Sequence, residues 1–401
     1  MFRPSIQKLY VIVLMALICV VMVAISLNSK FIDTKSYYSE KIKAAQYMQY
    51  GLEVLKSSSK RIFKNNSESL FDPMETGLVF FEDELEGSLN SKLTALNPNF
   101  AALIVELITQ SGIKPINKDS DYKPKIAVSF TGSMPGANLA VLSACEAMGL
   151  DPIIITSVSA SNFGALRYKN FSWLDMEHEL TNPPNDYFRH KSVAASIGKG
   201  RDSGIGLSNG AIKDIISSLE KYQSIYGERE FEILYRPGKY LPYYIDRRMA
   251  IYDEKSDGAP YDLFINVGGG VASIGYYPGI KKVSGIISAD SLKQLYNNKS
   301  INDCVMYRFS DFENSPVPSI NIIDIENLVK DKLPLITLDS DSLDNNKIVI
   351  GEGSLFTEEK YNLAIVIPCL IISLIIVLSV GILSHFQIKR RMSSYEPDSI
   401  S

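Results

Sequence analysis

The chain has 401 residues, with 41 Lys and Arg against 45 Asp and Glu, for a net charge of −4. The tails carry +2 (1–29) and +1 (387–401), which leaves −7 for the middle. That balance excludes a nucleic-acid binder, and it excludes a global positive field that would gather an anionic polymer.

At ~150 residues per domain, two or more structural units are expected. From Leu9 to Ser29 no residue is charged, and Tyr10 to Leu27 is almost wholly aliphatic. A membrane helix needs ~20 apolar residues, so this run is long enough. A cleaved signal peptide is the alternative. The residues that follow, Ser26-Leu27-Asn28-Ser29-Lys30, lack an A-x-A site, and Cys19 follows Leu17-Ile18 rather than the small residues of a lipoprotein signal. A second charge-free run extends from Tyr361 to Ile388, with Pro368 in its first third, where a kink is expected. Arg3 and Lys8 precede the first run, and Lys389, Arg390 and Arg391 follow the second, which Glu358 and Glu359 precede. By the positive-inside rule both termini are cytoplasmic and the middle is exported, with Lys30 and Lys35 opposing that orientation without reversing it. The expected partition is a tail and anchor (1–29), a helical extracytoplasmic region (30–120), an α/β domain (121–350), a linker (351–360), a second membrane helix (361–388) and a cytoplasmic tail (389–401).

Within 30–120, Ile42, Ala45, Met48, Leu52 and Leu55 recur at helical spacing and predict a helix over 40–56. Residues 57–72, with three successive serines, predict a loop. Asn97 caps a further helix, with Pro98 at its first position and Gly112 past its end. The pattern changes at Lys123-Pro124. Lys125–Phe130 predicts a buried strand, Thr131–Ala137 a glycine-containing loop, Asn138–Met148 a helix ended by Gly149, and Pro152–Thr156 a second strand. This is a βαβ unit, which implies a parallel sheet. Further on, Ser172 caps a helix to Leu180, and Asn209 caps another whose inner face carries Ile212, Ile215, Ile216 and Leu219. Strands at Phe231–Tyr235 and Leu263–Val267, a helix over Pro242–Asp253 and a strand–helix pair at 320–332 complete a three-layer α/β fold with a mainly parallel sheet.

In such a sheet, ligands sit at the carboxyl ends of the strands. Three glycine-rich loops are candidates. In Thr131-Gly132-Ser133-Met134-Pro135-Gly136, glycine admits close backbone approach, and the next helix N-terminus points N–H groups at an anion. Thr131 and Gly132 are candidate ligand contacts, and Ser133 is a candidate nucleophile. The loop is neither a P-loop nor a G-x-S-x-G elbow, and a plain strand-to-helix turn is the bland alternative. In Ser196-Ile197-Gly198-Lys199-Gly200-Arg201-Asp202, Lys199 and Arg201 can clamp a carboxylate or phosphate between Gly198 and Gly200. Asp202 can serve as acid, base or metal ligand, and Ser196 resembles the serine of an alanine-variant elbow without a convincing strand before it. A mobile loop with solvated charges is the alternative. The third loop, Gly268-Gly269-Gly270 after a strand, can present N–H groups to an oxyanion or can simply pack closely.

Trp173-Leu174-Asp175-Met176-Glu177-His178-Glu179 places His178 beside Asp175 and Glu179 on a helix, as an acid–base pair, a metal site or a charged face. Tyr243-Tyr244 and Arg247-Arg248 predict an amphipathic helix with a solvated basic side. Cys145 and Cys304, the cysteines outside the apolar runs, are either two buried thiols or a disulfide, and with no C-x-x-C they make no metal or redox motif; the cofactor is unknown.

Four strings carry a resemblance: IAVSFTGSMPGAN (126–138), WLDMEHEL (173–180), AASIGKGRDSGIGL (194–207) and FINVGGGVASIG (264–275). With the N-terminal anchor, they resemble the bacterial poly-gamma-glutamate system proteins. The second apolar run lies outside the resemblance. It implies a place in an envelope machine that makes or exports poly-γ-glutamate, a polymer joined through side-chain carboxylates by a separate ATP-dependent ligase. The implied partners are the lipid bilayer, the polymer and other membrane proteins of the system, with the main domain outside the cytoplasmic (inner) membrane. The family supplies no catalytic residues to carry over. Three functions stay open: an accessory binding component, an extracytoplasmic hydrolase or transferase acting on γ-glutamyl or phosphorylated substrates through Ser133 or Ser196, His178 and Asp202, and a scaffold with no small-molecule site.

Overall fold

The computed structural model describes residues 4, 8–63, 72, 74–79, 87–116, 123–159, 171–183, 187–296, 303–312, 315–337 and 348–394. In chain order the strands are β1 (Lys30–Thr34), β2 (Lys125–Thr131), β3 (Asp151–Ser157), β4 (Ala194–Ser196), β5 (Glu232–Ile233), β6 (Leu263–Val267), β7 (Gly285–Ile287), β8 (Ser319–Ile322) and β9 (Thr357–Tyr361). The helices are α1 (Leu9–Leu27), α2 (Tyr38–Ile62), α3 (Leu89–Thr94), α4 (Asn99–Gln110), α5 (Pro135–Met148), α6 (Trp173–Thr181), α7 (Asn209–Tyr226), α8 (Leu241–Lys255), α9 (Val271–Ile274), α10 (Ala289–Leu295), α11 (Val305–Ser310), α12 (Ile325–Val329) and α13 (Leu363–Ser393). They form two compact units, one of Met1–Lys35 with Thr357–Ser401, the other of Ser36–Phe356.

The first unit holds two helices long and apolar enough to cross a membrane, α1 with 19 residues and α13 with 31. At ~1.5 Å per residue, even α1 approaches the ~30 Å of a bilayer's hydrocarbon core. Almost none of the surface of either helix is buried. β1 and β9 pair antiparallel, from Lys30 opposite Tyr361 to Thr34 opposite Thr357. The sequence predicts a mainly helical region over 30–120 and a linker at 351–360, whereas the structure makes a ribbon of parts of both. Lys30 bonds Glu359 (3.1 Å) and Lys360 bonds Asp33 (2.8 Å), so the flanking charges neutralise one another across the ribbon. These pairs are exposed and contribute little stability each.

The second unit is built on a seven-stranded sheet in the order β5-β4-β3-β2-β6-β8-β7, parallel except for β7 against β8. From Ile126 to Thr131 every residue of β2 is buried, as a parallel strand covered on both faces requires. One face carries α2, α4 and α5 over a core that includes Met48, Phe100, Leu139 and Ile154. The other carries α8, α10 and α11 around Tyr252, Phe264 and Phe309. A smaller cluster under α7 packs Leu219 and Tyr222 on Ile197 and Phe231. The helices expected over 30–120 therefore share a core with the α/β sheet.

Four local differences have physical causes. α2 continues through Ser57–Ser59 to Ile62, because Ser57 donates to the Glu53 carbonyl (2.9 Å) and Ser58, buried, donates to Glu179 (2.9 Å). Serine side chains that bond backward or to tertiary partners stop competing with the helix. The rest of the predicted loop, 64–71, lies outside the described residues. α5 starts three residues earlier than predicted, with Pro135 at its first turn. The cap of α7 is Ser208, whose hydroxyl accepts from the Ala211 N–H (3.2 Å), and Asn209 is the first helical residue. β5 shrinks to two residues at the sheet edge. Cys145 and Cys304 are free buried thiols in different cores, not a disulfide.

Candidate functional site

From β2 the chain steps outward through β3, β4 and β5, then returns to place β6 on the other flank of β2. The strand order reverses between β2 and β6, and this is where doubly wound sheets bind ligands. At this point the chain after β6 packs closely on the end of β2. Gly268, at φ 87°, lies so near the Thr131 methyl that a Cβ would collide with it.

All three glycine-rich loops meet above this point around a cleft of about 430 Å3. Ser133 enters from the loop after β2, Gly198 to Asp202 from the loop after β4, and Gly269 and Gly270 from the loop after β6. The strand that the sequence fails to show before Ser196 exists: β4 is three residues long and Ser196 is its last. Four cations line the cleft: Lys92 from α3, Lys199 and Arg201 from the second loop, and Lys281 from the helical turn Pro278–Lys282. Arg201 also lies over the Tyr276 ring (5.4 Å). Among the described residues the cleft's one acidic residue is Asp202, and its other lining residues are rich in hydroxyls.

Asp202 is not available to a ligand as an open charge. It is 3 % exposed, and Arg248, wholly buried, donates to its Oδ2 from Nε (3.1 Å) and Nη2 (2.8 Å). The Ser196 hydroxyl donates to Asp202 Oδ1 (2.5 Å) and accepts from Arg248 Nη2 (2.8 Å), which also donates to Ser157 Oγ (3.0 Å). Ser196 is therefore a buried strut of this network rather than an exposed nucleophile. The network fixes an unusual turn. Gly200, Arg201 and Asp202 all have positive φ, at 67°, 63° and 69°. A Cβ at Gly200 would strike the Ile205 backbone, so only glycine fits there. Arg201 and Asp202 tolerate the left-handed region because the surrounding bonds over-determine it.

Arg248 corrects the sequence reading of a solvated basic face. Leu241, Tyr244, Ile245, Arg248, Ile251 and Tyr252 are the buried residues of α8, so Arg248 occupies the apolar stripe. Arg247 bonds Glu232 (2.5 Å) and Glu254 (2.9 Å). An arginine at i+4 and i−4 from apolar residues signals a buried ion pair and was the clue to read. Lys92, Lys281 and Ser157 carry no such mark in sequence.

The predicted partnership of Ser133 with His178 does not survive. The Ser133 hydroxyl bonds Thr131 Oγ1 (3.1 Å), and His178 lines a separate cleft with Glu53, Arg61 and Asn182. His178 bonds the Tyr226 hydroxyl (2.9 Å), and burial holds its imidazole below the usual range. Asp175 and Glu179 do not converge on it. Asp175 caps α6 with Ser172 and accepts from Tyr222 (2.6 Å) and Lys221 (3.0 Å). Burial pushes the Asp175 carboxyl up, but these donors together outweigh it and hold the carboxyl below its usual value. Glu179 is bound by Ser58 and Arg61. Glu177, which the sequence leaves unassigned, is buried against the Ser192 N–H (2.8 Å) and hydroxyl (3.0 Å), and burial pushes its carboxyl up to about 7.

Chemically, the cleft sets four basic side chains beside an acid already paired from behind by Arg248. At an effective dielectric of ~20, each charge pair at 4 Å contributes ~4 kcal/mol before desolvation. The lining hydroxyls can donate to the oxygens that remain. No family model, curated protein or solved structure matches the chain.

Proposed function

We propose that the Ser36–Phe356 unit is an anion-binding domain, held at the bacterial inner membrane, that takes the carboxylates of poly-γ-glutamate in the switch-point cleft as part of the polymer's synthesis or export. The observation that carries this reading is the convergence of Lys92, Lys199, Arg201 and Lys281 on one cleft whose acid among the described residues, Asp202, is bound by Arg248. The resemblance of the cleft's loops to the poly-gamma-glutamate system proteins supplies the identity of the anion. The basic residues before α1 and after Ile388 support cytoplasmic termini and an envelope-facing domain. Its other partners are then the bilayer and the remaining membrane proteins of that system. The binding reading is favoured over a hydrolase or transferase because no histidine lines the cleft and Asp202 is committed to Arg248 and Ser196.

The test is retention of a γ-linked glutamate oligomer by the full-length protein in detergent. Lys199→Ala combined with Arg201→Ala is expected to abolish retention, and a double variant that retains the oligomer as well as the native protein removes the reading.

A further inference from the structure

Resting on the reading above, we infer that the cleft takes the carboxyl terminus of an acidic chain rather than a stretch of its interior. Size is the first argument. About 430 Å3 lies at the small end of the ~300–1,000 Å3 typical of small-molecule sites, which is room for a few residues. The cleft is also walled on several sides. The sheet's carboxyl edge forms one boundary, and Gly87–Lys92, Gly198–Asp202 and Gly269–Ala272 supply others. Charge is the second. An interior γ-linked residue brings one free carboxylate, the α-carboxylate, into this volume. The last residue brings two, α and γ, separated by three carbons of its own chain. Arg201 and Lys281, which reach the cleft from two separate segments, match the paired charge of the end. Polarity is the third. The amino terminus of such a chain carries an ammonium, which needs an acceptor with negative charge. Among the described residues the cleft's acidic side chain is Asp202, which already receives Arg248 and Ser196.

The experiment measures binding of defined γ-glutamyl oligomers, two to ten residues long, to the full-length protein in detergent. Each oligomer is tested with its end free, with both terminal carboxyls amidated, and with its amino end acetylated. Affinity is expected to level off by about three residues and to fall about tenfold or more on amidation, because charge-assisted bonds are lost. Acetylation is expected to leave it unchanged. Lys281→Met, on an exposed side chain, is expected to weaken free-ended oligomers more than amidated ones. A steady rise in affinity to ten residues, equal for free and amidated ends, overturns the inference while leaving anion binding in place. Failure of every oligomer to bind overturns both.

Discussion

Replacing Arg248 by Met removes a wholly buried guanidinium while keeping an unbranched side chain in the apolar stripe of α8. What remains is the Asp202 carboxylate, 3 % exposed, with only the Ser196 hydroxyl on Oδ1 and nothing on the oxygen that Arg248 held at 2.8 and 3.1 Å. Removing one member of a buried pair costs ~3–5 kcal/mol, since the survivor is charged and desolvated without a partner. A second effect follows from the turn. Arg201 and Asp202 sit at φ 63° and 69°, and the left-handed region costs ~1–2 kcal/mol for each such residue. Once Asp202 loses its anchor, that strain is no longer opposed. The turn relaxes and carries Lys199 and Arg201 out of the cleft.

The expected result is a melting temperature lowered by on the order of 10 °C in the full-length protein, with oligomer binding lost in the same variant. Arg248→Lys recovers only part of either, because one ammonium cannot reproduce a fork that reaches Asp202, Ser196 and Ser157 together. The decisive measurement is the cycle with Asp202→Asn. Each single variant strands a buried charge and the double variant strands none, so the double must cost less than the two singles together. If the costs add to within ~0.5 kcal/mol, the pair is uncoupled and the reasoning is refuted.

Glu177 predicts a pH dependence of stability. Burial raises its folded carboxyl from the ordinary 4.5 to about 7 against the opposing Ser192 bonds, so between those values the folded state binds a proton that the unfolded state has lost. Its contribution is therefore fully present below pH ~4.5 and is lost as pH rises through about 7, and Glu177→Gln should flatten that decline in a melting series from pH 5 to 8. An unchanged slope would show that another group carries it. Gly268→Ala adds a Cβ at φ 87° against the Thr131 methyl and should lower stability by ~1–3 kcal/mol and weaken binding. Adding Thr131→Ser removes the methyl and should restore part of both losses, and no restoration would show that the clash is not the cause.

The α/β layering was legible wherever pattern and punctuation agreed. β2, α5 and Gly149 follow from an apolar run, small residues at helical spacing and a glycine stop. β4 was not legible, because three residues, Ala194-Ala195-Ser196, are too few to show a period, and the strand exists through its pairing with β3 and β5. The loops of the candidate site stood out by glycine density, yet half of its cations did not. Lys92 and Lys281 lie in unremarkable helical turns, and only the packing of α3 and of the turn after α9 brings them to the switch point. Arg248 was visible but misread. Two adjacent arginines on one helix point about 100° apart, so one faces solvent and the other the core, and a reading by composition treats both alike.

The charge distribution explains why the site is a pocket rather than a surface. Residues 30–386 carry a net −7, so a polyanion approaching from a distance meets repulsion. Salt confines that repulsion to ~8–10 Å, a range within which the basic side chains lining the cleft lie close to a bound ligand. A long polymer cannot place all of its charge inside that radius, and the part left outside faces the acidic remainder of the domain. Under the proposed reading, a chain end brings its two carboxylates into the cleft and leads the rest of the strand away toward solvent. A domain acidic overall and basic at one point then favours the proposed capture at a terminus over broad adsorption.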